Sequence, residues 1–212
     1  MITVSILGVG ARGGFTYGRY MNMCKDKYKI VSLCDKNQDK LDKYSAMFGI
    51  GKDQCFLNEE EFFFEKRSEA HVRHALKALE LGYNILLEKP LTADENECRK
   101  LVEAEKKSKG RIFVCHVLRY TAMIKKMKEL LDSGIIGKLV LIDHTEQIEY
   151  WHMAHSYVRG NWRKEEETSP ILLAKCCHDL DLIQYFADSK CNSVSSIGSL
   201  VWFKSENAPT NA

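Results

Sequence analysis

Two groups of residues in this chain have types and spacings that could do chemistry. Gly8, Gly10 and Gly13 follow the apolar run Ile2 to Leu7, and Asp35 closes a second apolar run, Lys29 to Cys34. A carboxylate about 20 residues past a glycine-rich turn is the spacing of a dinucleotide site. Gly8 permits the tight turn, Gly10 lets backbone approach a diphosphate, and Gly13 lets helix and strand pack closely. The following helix, opening at Ala11 and Arg12, offers unpaired N–H groups to the phosphates. Asp35 would accept hydrogen bonds from a ribose, which favours NAD because a 2′-phosphate there would meet like charge. Lys36 follows at once and could counter a phosphate, so NADP stays open. The second group is Lys89, at the end of an apolar run, and His178, on a downstream helix. Hydride transfer to or from a carbinol needs a fixed positive charge at the oxygen and a group that moves the hydroxyl proton. Lys89 suits the first task and His178, with an imidazole that titrates near neutrality, the second. On position alone Lys89 is equally a solvated lysine at a strand end, and His178 a satisfied histidine beside a Lys175–Asp179 surface pair.

These residues must be held by a fold, and the pattern supplies one. Strands and helices alternate along the chain, as in a parallel sheet with helices on its faces. Val72, Ala75, Leu76 and Leu79 recur at helical spacing up to Gly82, and Tyr83 to Leu87 reads as a short buried strand. Pro90 then bars further ladder pairing. Thr92 with Glu95 predicts a capping box for a helix that ends near Gly110. Arg111 to Val117 reads as a strand, Met123 to Leu131 as an amphipathic helix, and Lys138 to Tyr150 as a longer strand of a different sheet. A helix over 171–187 follows, with Pro170 in its first turn and Thr168 or Ser169 as cap. On it Lys175, His178 and Asp179 would share one face.

Composition excludes several classes. The 212 residues carry 31 basic and 29 acidic side chains, a net charge of +2, and 45% hydrophobic residues. That is enough for a core but gives no basic stripe for nucleic acid. No apolar run approaches the roughly 18 residues needed to cross a bilayer, and the first strand leaves no room for a signal peptide. A cytoplasmic protein is expected. Eight cysteines lie inside apolar patterns, which reads as free, mostly buried thiols in a reducing compartment. His152 with His155, and Cys176-Cys177-His178, contain ligand types without the spacing that points several donors at one ion, so no metal site is expected.

Taken together, the glycine turn at 8–14, Asp35, Glu88-Lys89-Pro90-Leu91, His116-Val117-Leu118-Arg119-Tyr120, Gly134-Ile135-Ile136-Gly137 and His178-Asp179-Leu180-Asp181 resemble the Gfo/Idh/MocA oxidoreductases. The resemblance covers nearly the whole chain. It implies a Rossmann-type doubly wound parallel sheet over 1–118, and an incomplete α/β domain with an open, mostly antiparallel sheet over 119–212. It also implies a nicotinamide cofactor, sugar-like or polyol substrates oxidised or reduced at a carbinol carbon, and a homo-oligomer formed through the C-terminal sheet. Glu88 and Lys89 would reach the cofactor, and Glu88 or the rigid Pro90 turn could hold Lys89 in place.

Substrate contacts are expected from the donor-rich loop Tyr157, Arg159, Asn161, Trp162 and Arg163, and from Arg119 after its strand. Many relatives carry an aspartate four residues before the histidine, whereas here that position is Ala174, and Lys175 stands as the replacement in the proton relay. Two further departures concern length. A buried strand and its turn, about a dozen residues, have no counterpart before the helix at 70–82, unless residues 56–64 replace the strand. Relatives also continue beyond Ala212, so the chain reads as truncated and internally shortened. Two other functions stay open: cleavage of glycosidic bonds through transient oxidation by tightly held NAD, and nucleotide sensing without chemistry.

Overall fold

The computed structural model describes residues 1–63, 70–160, 162–164 and 168–208. The chain forms two compact units, Met1–Ala70 and His71–Ala212.

In the first unit, strand β1 (Ile2–Leu7) leads through the glycine turn into a wide π-helical stretch, Ala11–Gly18, that continues as helix α1 (Arg19–Met23). Then come β2 (Tyr28–Cys34), α2 (Gln38–Phe48), the two-residue β3 (Cys55–Phe56) and α3 (Glu59–Phe63). All pairings are parallel, in the order β1-β2-β3, with the register running from Ile2 opposite Tyr28 to Leu7 opposite Cys34 and a shift between Val4 and Ser5. The Asn37 side chain caps α2 by accepting from the Lys40 N–H at 3.0 Å, and Gly49 ends it in the left-handed region at φ +71°. Ile6, Val9, Leu33, Leu41, Tyr44 and Phe48 close the core between sheet and helix. Leu33 has no exposed surface, so truncating it to alanine is expected to cost about 2–5 kcal/mol.

The second unit contains α4 (Ala70–Glu80), β4 (Ile85–Leu87), α5 (Glu95–Lys107), β5 (Ile112–Val114), α6 (Ala122–Asp132), α7 (Tyr150–His152), α8 (Ile171–Ala174) and α9 (Cys177–Ala187). Strands β4 and β5 pair in parallel, Ile85 with Ile112 through Leu87 with Val114. Val72, Ala75, Leu87 and Leu101 form the core beneath them. A parallel pair needs a crossover, and α5 supplies it.

Several sequence expectations are corrected. Helix α5 is capped by Asp94, whose carboxylate accepts from the N–H groups of Asn96 and Glu97, while Thr92 donates to Glu97 at 2.6 Å. The helix expected over 171–187 is two helices separated by Lys175 and Cys176, with Pro170 at the N-cap position and no side-chain cap. Lys175, His178 and Asp179 are therefore not on one helical face. Residues 138–149 are not a strand, and Val140 and Leu141 are highly exposed. A strand exists only where another backbone pairs with it, and among the described residues this segment has no ladder partner. Phe62 and Phe63 lie in α3, so they do not replace a strand, and β3 adds to the β2 side of the sheet. Among the described residues no strand pairs with the other side of β1; the connection through residues 64–69 lies outside them. All eight cysteines are free, but only Cys34 and Cys115 are fully buried. Burial pushes the Cys34 thiol up to about 12, which leaves it unreactive.

Candidate functional site

The glycine turn has the shape its residues suggested. Gly8 sits at φ +87°, a conformation that side chains rarely adopt, and its N–H donates to the Cys34 carbonyl at 2.7 Å. A Cβ on Gly8 or Gly10 would meet no protein atom, so the space above the turn is open to a ligand. At Gly13 the situation reverses, because a Cβ would collide with the Gly8 carbonyl oxygen. The first intrahelical acceptor is the Gly10 carbonyl, taken by the N–H groups of Gly14 and Phe15 at 3.0 and 3.1 Å. The N–H groups of Ala11, Arg12 and Gly13 precede that first bond, the position of orphan donors at a helix N-terminus. Arg12 is exposed beside them. At the end of β2, Asp35 Oδ1 accepts from the Asn37 N–H at 3.0 Å, which fixes the carboxylate and leaves Oδ2 without a partner among the described residues. The sequence-read residues Gly8, Gly10, Ala11, Arg12, Gly13 and Asp35 thus belong to one unit and fit a diphosphate and a ribose.

In the second unit, Lys89 stands two residues past β4, joined to Pro90 by a cis peptide bond, with half-buried Glu88 before it. Its ammonium donates to the Ala174 carbonyl at 2.7 Å, the last residue of α8. Ala174, four residues before His178, therefore engages Lys89 through the main chain.

His178 opens α9. Its Nδ1 is buried and has no hydrogen-bond partner among the described residues. Burial lowers its pKa below the ordinary histidine value; the positive charges of Lys89, of His116 when protonated, and of Lys175 lower it further, against a smaller opposing effect of Asp179. These effects favour the neutral imidazole, the form that accepts a proton.

The carboxylates around it are already committed. Asp179 binds His144 Nε2 at 2.7 Å rather than Lys175. Lys175 instead pairs with Glu146 at 2.7 Å, and that hydrogen bond raises its pKa, holding it as a fixed cation. Asp181 takes both Nε and Nη2 of Arg119, at 2.6 and 2.5 Å, with the guanidinium 4.7 Å over the Tyr185 ring. Arg119 thus holds both oxygens of that carboxylate. His144 and Glu146 were not singled out in the sequence; their role comes from contacts across the chain that periodicity does not encode.

Of the expected substrate loop, Arg159 and Trp162 line a cleft of about 680 Å³ together with Tyr150, Trp151, His155 and Ser156. Tyr157 is half-buried, and burial raises its phenol pKa against the opposing charge of Lys175. Arg163 is exposed, and Asn161 lies outside the described residues.

A first strand ending in a glycine turn, a helix opening on it and a carboxylate ending the neighbouring parallel strand define a Rossmann-type α/β protein. Residues 2–116 match the family model described as the NAD-binding Rossmann fold of an oxidoreductase family, and residues 128–212 match that family's C-terminal α/β domain. The chain belongs to the Gfo/Idh/MocA oxidoreductase family. Inositol 2-dehydrogenase 3 of Saccharopolyspora erythraea is 41% identical over 129 residues, 60% of this chain and 35% of that protein. Among solved structures, myo-inositol 2-dehydrogenase from Lactobacillus plantarum superposes with a TM-score of 0.71 at 21% identity, covering 88% of this chain and 56% of that one. The WlbA dehydrogenase from Bordetella pertussis, solved in complex with NADH and UDP-GlcNAcA, gives 0.66 at 18% identity, covering 87% and 55%. At these identities the solved structures speak for the fold. The chain spans 35% to 56% of the length of the curated relatives it matches. Among the described residues no helix is long and apolar enough to cross a membrane.

Proposed function

We propose that this chain carries the cofactor-binding and catalytic residues of an NAD(P)-dependent oxidoreductase that acts on a carbinol carbon of a sugar, polyol or related substrate. Within this reading residues 1–118 hold the nucleotide and 119–212 belong to the substrate domain. The observation that carries it is His178: a half-buried imidazole whose surroundings favour its neutral form, with a buried Nδ1 that has no partner among the described residues, close enough to Lys89 and Lys175 for their charges to act on it. A histidine with no task is expected to spend its buried nitrogen on a hydrogen bond.

The open space over Gly8 and Gly10, the orphan N–H groups and the free oxygen of Asp35 fit a dinucleotide, which when bound supplies the acceptor or donor of a hydride. Asp35 favours the unphosphorylated ribose, hence NAD over NADP. In the oxidative direction Lys89 would donate to the substrate oxygen as it gains alkoxide character, and His178 would take the hydroxyl proton at its unpaired nitrogen. Lys175, fixed by Glu146, would keep His178 neutral rather than exchange a proton itself. The aromatic faces of Tyr150, Trp151 and Trp162 beside Arg159 suit the C–H face and polar rim of a sugar ring, and the relatives named inositol 2-dehydrogenase point the same way.

The experiment is to follow reduction of NAD by a panel of sugars and polyols with the wild-type chain, Lys89→Ala and His178→Gln. Turnover lost in both variants is expected. Turnover unchanged in either removes that residue from the mechanism.

A further inference from the structure

We infer that the cleft walled by Tyr150, Trp151 and Trp162 takes an acidic sugar, one that carries a carboxylate, and that Arg159 is the residue that selects it. The inference rests on the reading of this cleft as a sugar site, and goes beyond it by naming the substrate class and its anchor.

One short stretch of chain builds the cleft. Helix α7 brings Tyr150 and Trp151, the π-helical turn Met153–Val158 brings His155 and Ser156, and the residues after it bring Arg159 and Trp162. Gly160 lets that stretch fold back closely, because a Cβ there would lie 2.3 Å from the His155 carbonyl oxygen. Tyr157, in the same π-helical turn, feels the charge of Lys175, which brings the turn near the residues assigned to the chemistry.

The lining offers hydrogen-bond donors and few acceptors. The two indole N–H groups only donate, and the guanidinium carries five N–H donors and no acceptor. Among the described residues no Asp, Glu, Asn or Gln lines the walls. The main-chain oxygens of the stretch are already engaged: Ala154 accepts from the Arg159 N–H at 3.1 Å, Ser156 from the Trp162 N–H at 3.2 Å and Gly160 from the Arg163 N–H at 3.3 Å. Each hydroxyl of a neutral sugar needs an acceptor for its own hydrogen, which this lining supplies poorly. A carboxylate only accepts, and its two oxygens match the fork of a guanidinium. Arg159 is exposed and has no carboxylate partner among the described residues; Glu146, on the preceding loop, is held by Lys175. Arg159 is also the only permanent cation among the described lining residues, which answers the single charge of a carboxylate rather than the roughly 1.5 to 2 charges of a phosphate.

The test is calorimetric binding by the full chain, with and without NADH, of D-glucuronate, D-galacturonate and D-mannuronate, of their neutral parents D-glucose, D-galactose and D-mannose, and of D-glucose 6-phosphate. At least one uronate is expected to bind about 10–100-fold more tightly than its parent, the range of a hydrogen bond to a charged group. Arg159→Gln should erase that preference, and Arg159→Lys should retain part of it, because a point charge lacks the fork. Melting temperatures report that each variant is folded. The inference is overturned if no uronate binds better than its parent, if the preference survives in Arg159→Gln, or if D-glucose 6-phosphate binds more tightly than every uronate. These measurements need no turnover. A uronate held through Arg159 by a chain that transfers no hydride would refute the oxidoreductase reading alone; turnover of neutral sugars without a uronate preference would refute the inference alone.

Discussion

The glycine turn of the first unit and the Lys89–His178 cluster of the second work by opposite means. On the proposed reading the functional atoms at the turn are backbone N–H groups, and the sequence contributes by leaving side chains out: open space over Gly8 and Gly10, tight contact at Gly13. On the proposed reading the functional atoms of the cluster are side chains, and the surroundings contribute by committing three nearby carboxylates, Asp179 to His144, Asp181 to Arg119 and Glu146 to Lys175. The contrast teaches where substitution hurts. At the turn any added atom on the ligand side should damage binding while the fold survives; in the cluster, change of charge should damage turnover while binding survives.

The largest effect that could break this contrast is at Lys89. Replacing it by alanine is expected to lower kcat by about 10²–10³-fold, the usual loss on removing one donor from a developing oxyanion, measured as reduction of NAD. Next comes a matched pair at the turn. Gly10→Val should keep its melting temperature but lose about 10²-fold in NADH affinity by calorimetry, whereas Gly13→Val should lose about 1–3 kcal/mol of stability, because its side chain runs into the Gly8 carbonyl. Equal melting temperatures for the two would contradict the geometry. Asp35→Asn, which keeps the contact to Asn37 but removes the charge, should weaken NAD binding about tenfold and narrow the preference against NADP.

The smallest effect is on pH dependence. The His178 pKa is lowered in the folded chain, so below the ordinary histidine range the unfolded chain binds more protons at this site. Its contribution therefore destabilises the fold as pH drops from about 6.5. Denaturant midpoints of wild type and His178→Gln should diverge on the acid side and run parallel above neutrality.

The turn was legible because all its determinants are local. Two apolar runs, three glycines and one acid within 35 residues specify β1, the turn, β2 and a carboxylate at the end of β2, and each element formed where the pattern put it. The first helix differs only in opening as a π-helical stretch. The cluster was half legible. Lys89 and His178 stood out by type and by neighbours such as Pro90, but their anchors lie far along the chain: the Ala174 carbonyl is 85 residues from Lys89, and Asp181 is 62 from Arg119. No helical or strand period reports such contacts, and the break at Lys175 and Cys176 left no proline or glycine as a signal. The error at 138–149 has a different origin. Alternating β-branched residues show that a segment could join a sheet, but pairing is decided by what lies beside it.

The division of labour between the two regions is tested most directly by NADH affinity, measured side by side in Gly10→Val and His178→Gln. A large loss in Gly10→Val with wild-type affinity in His178→Gln is the predicted result. Undiminished NADH binding in Gly10→Val, with the protein folded, would contradict the account at its base.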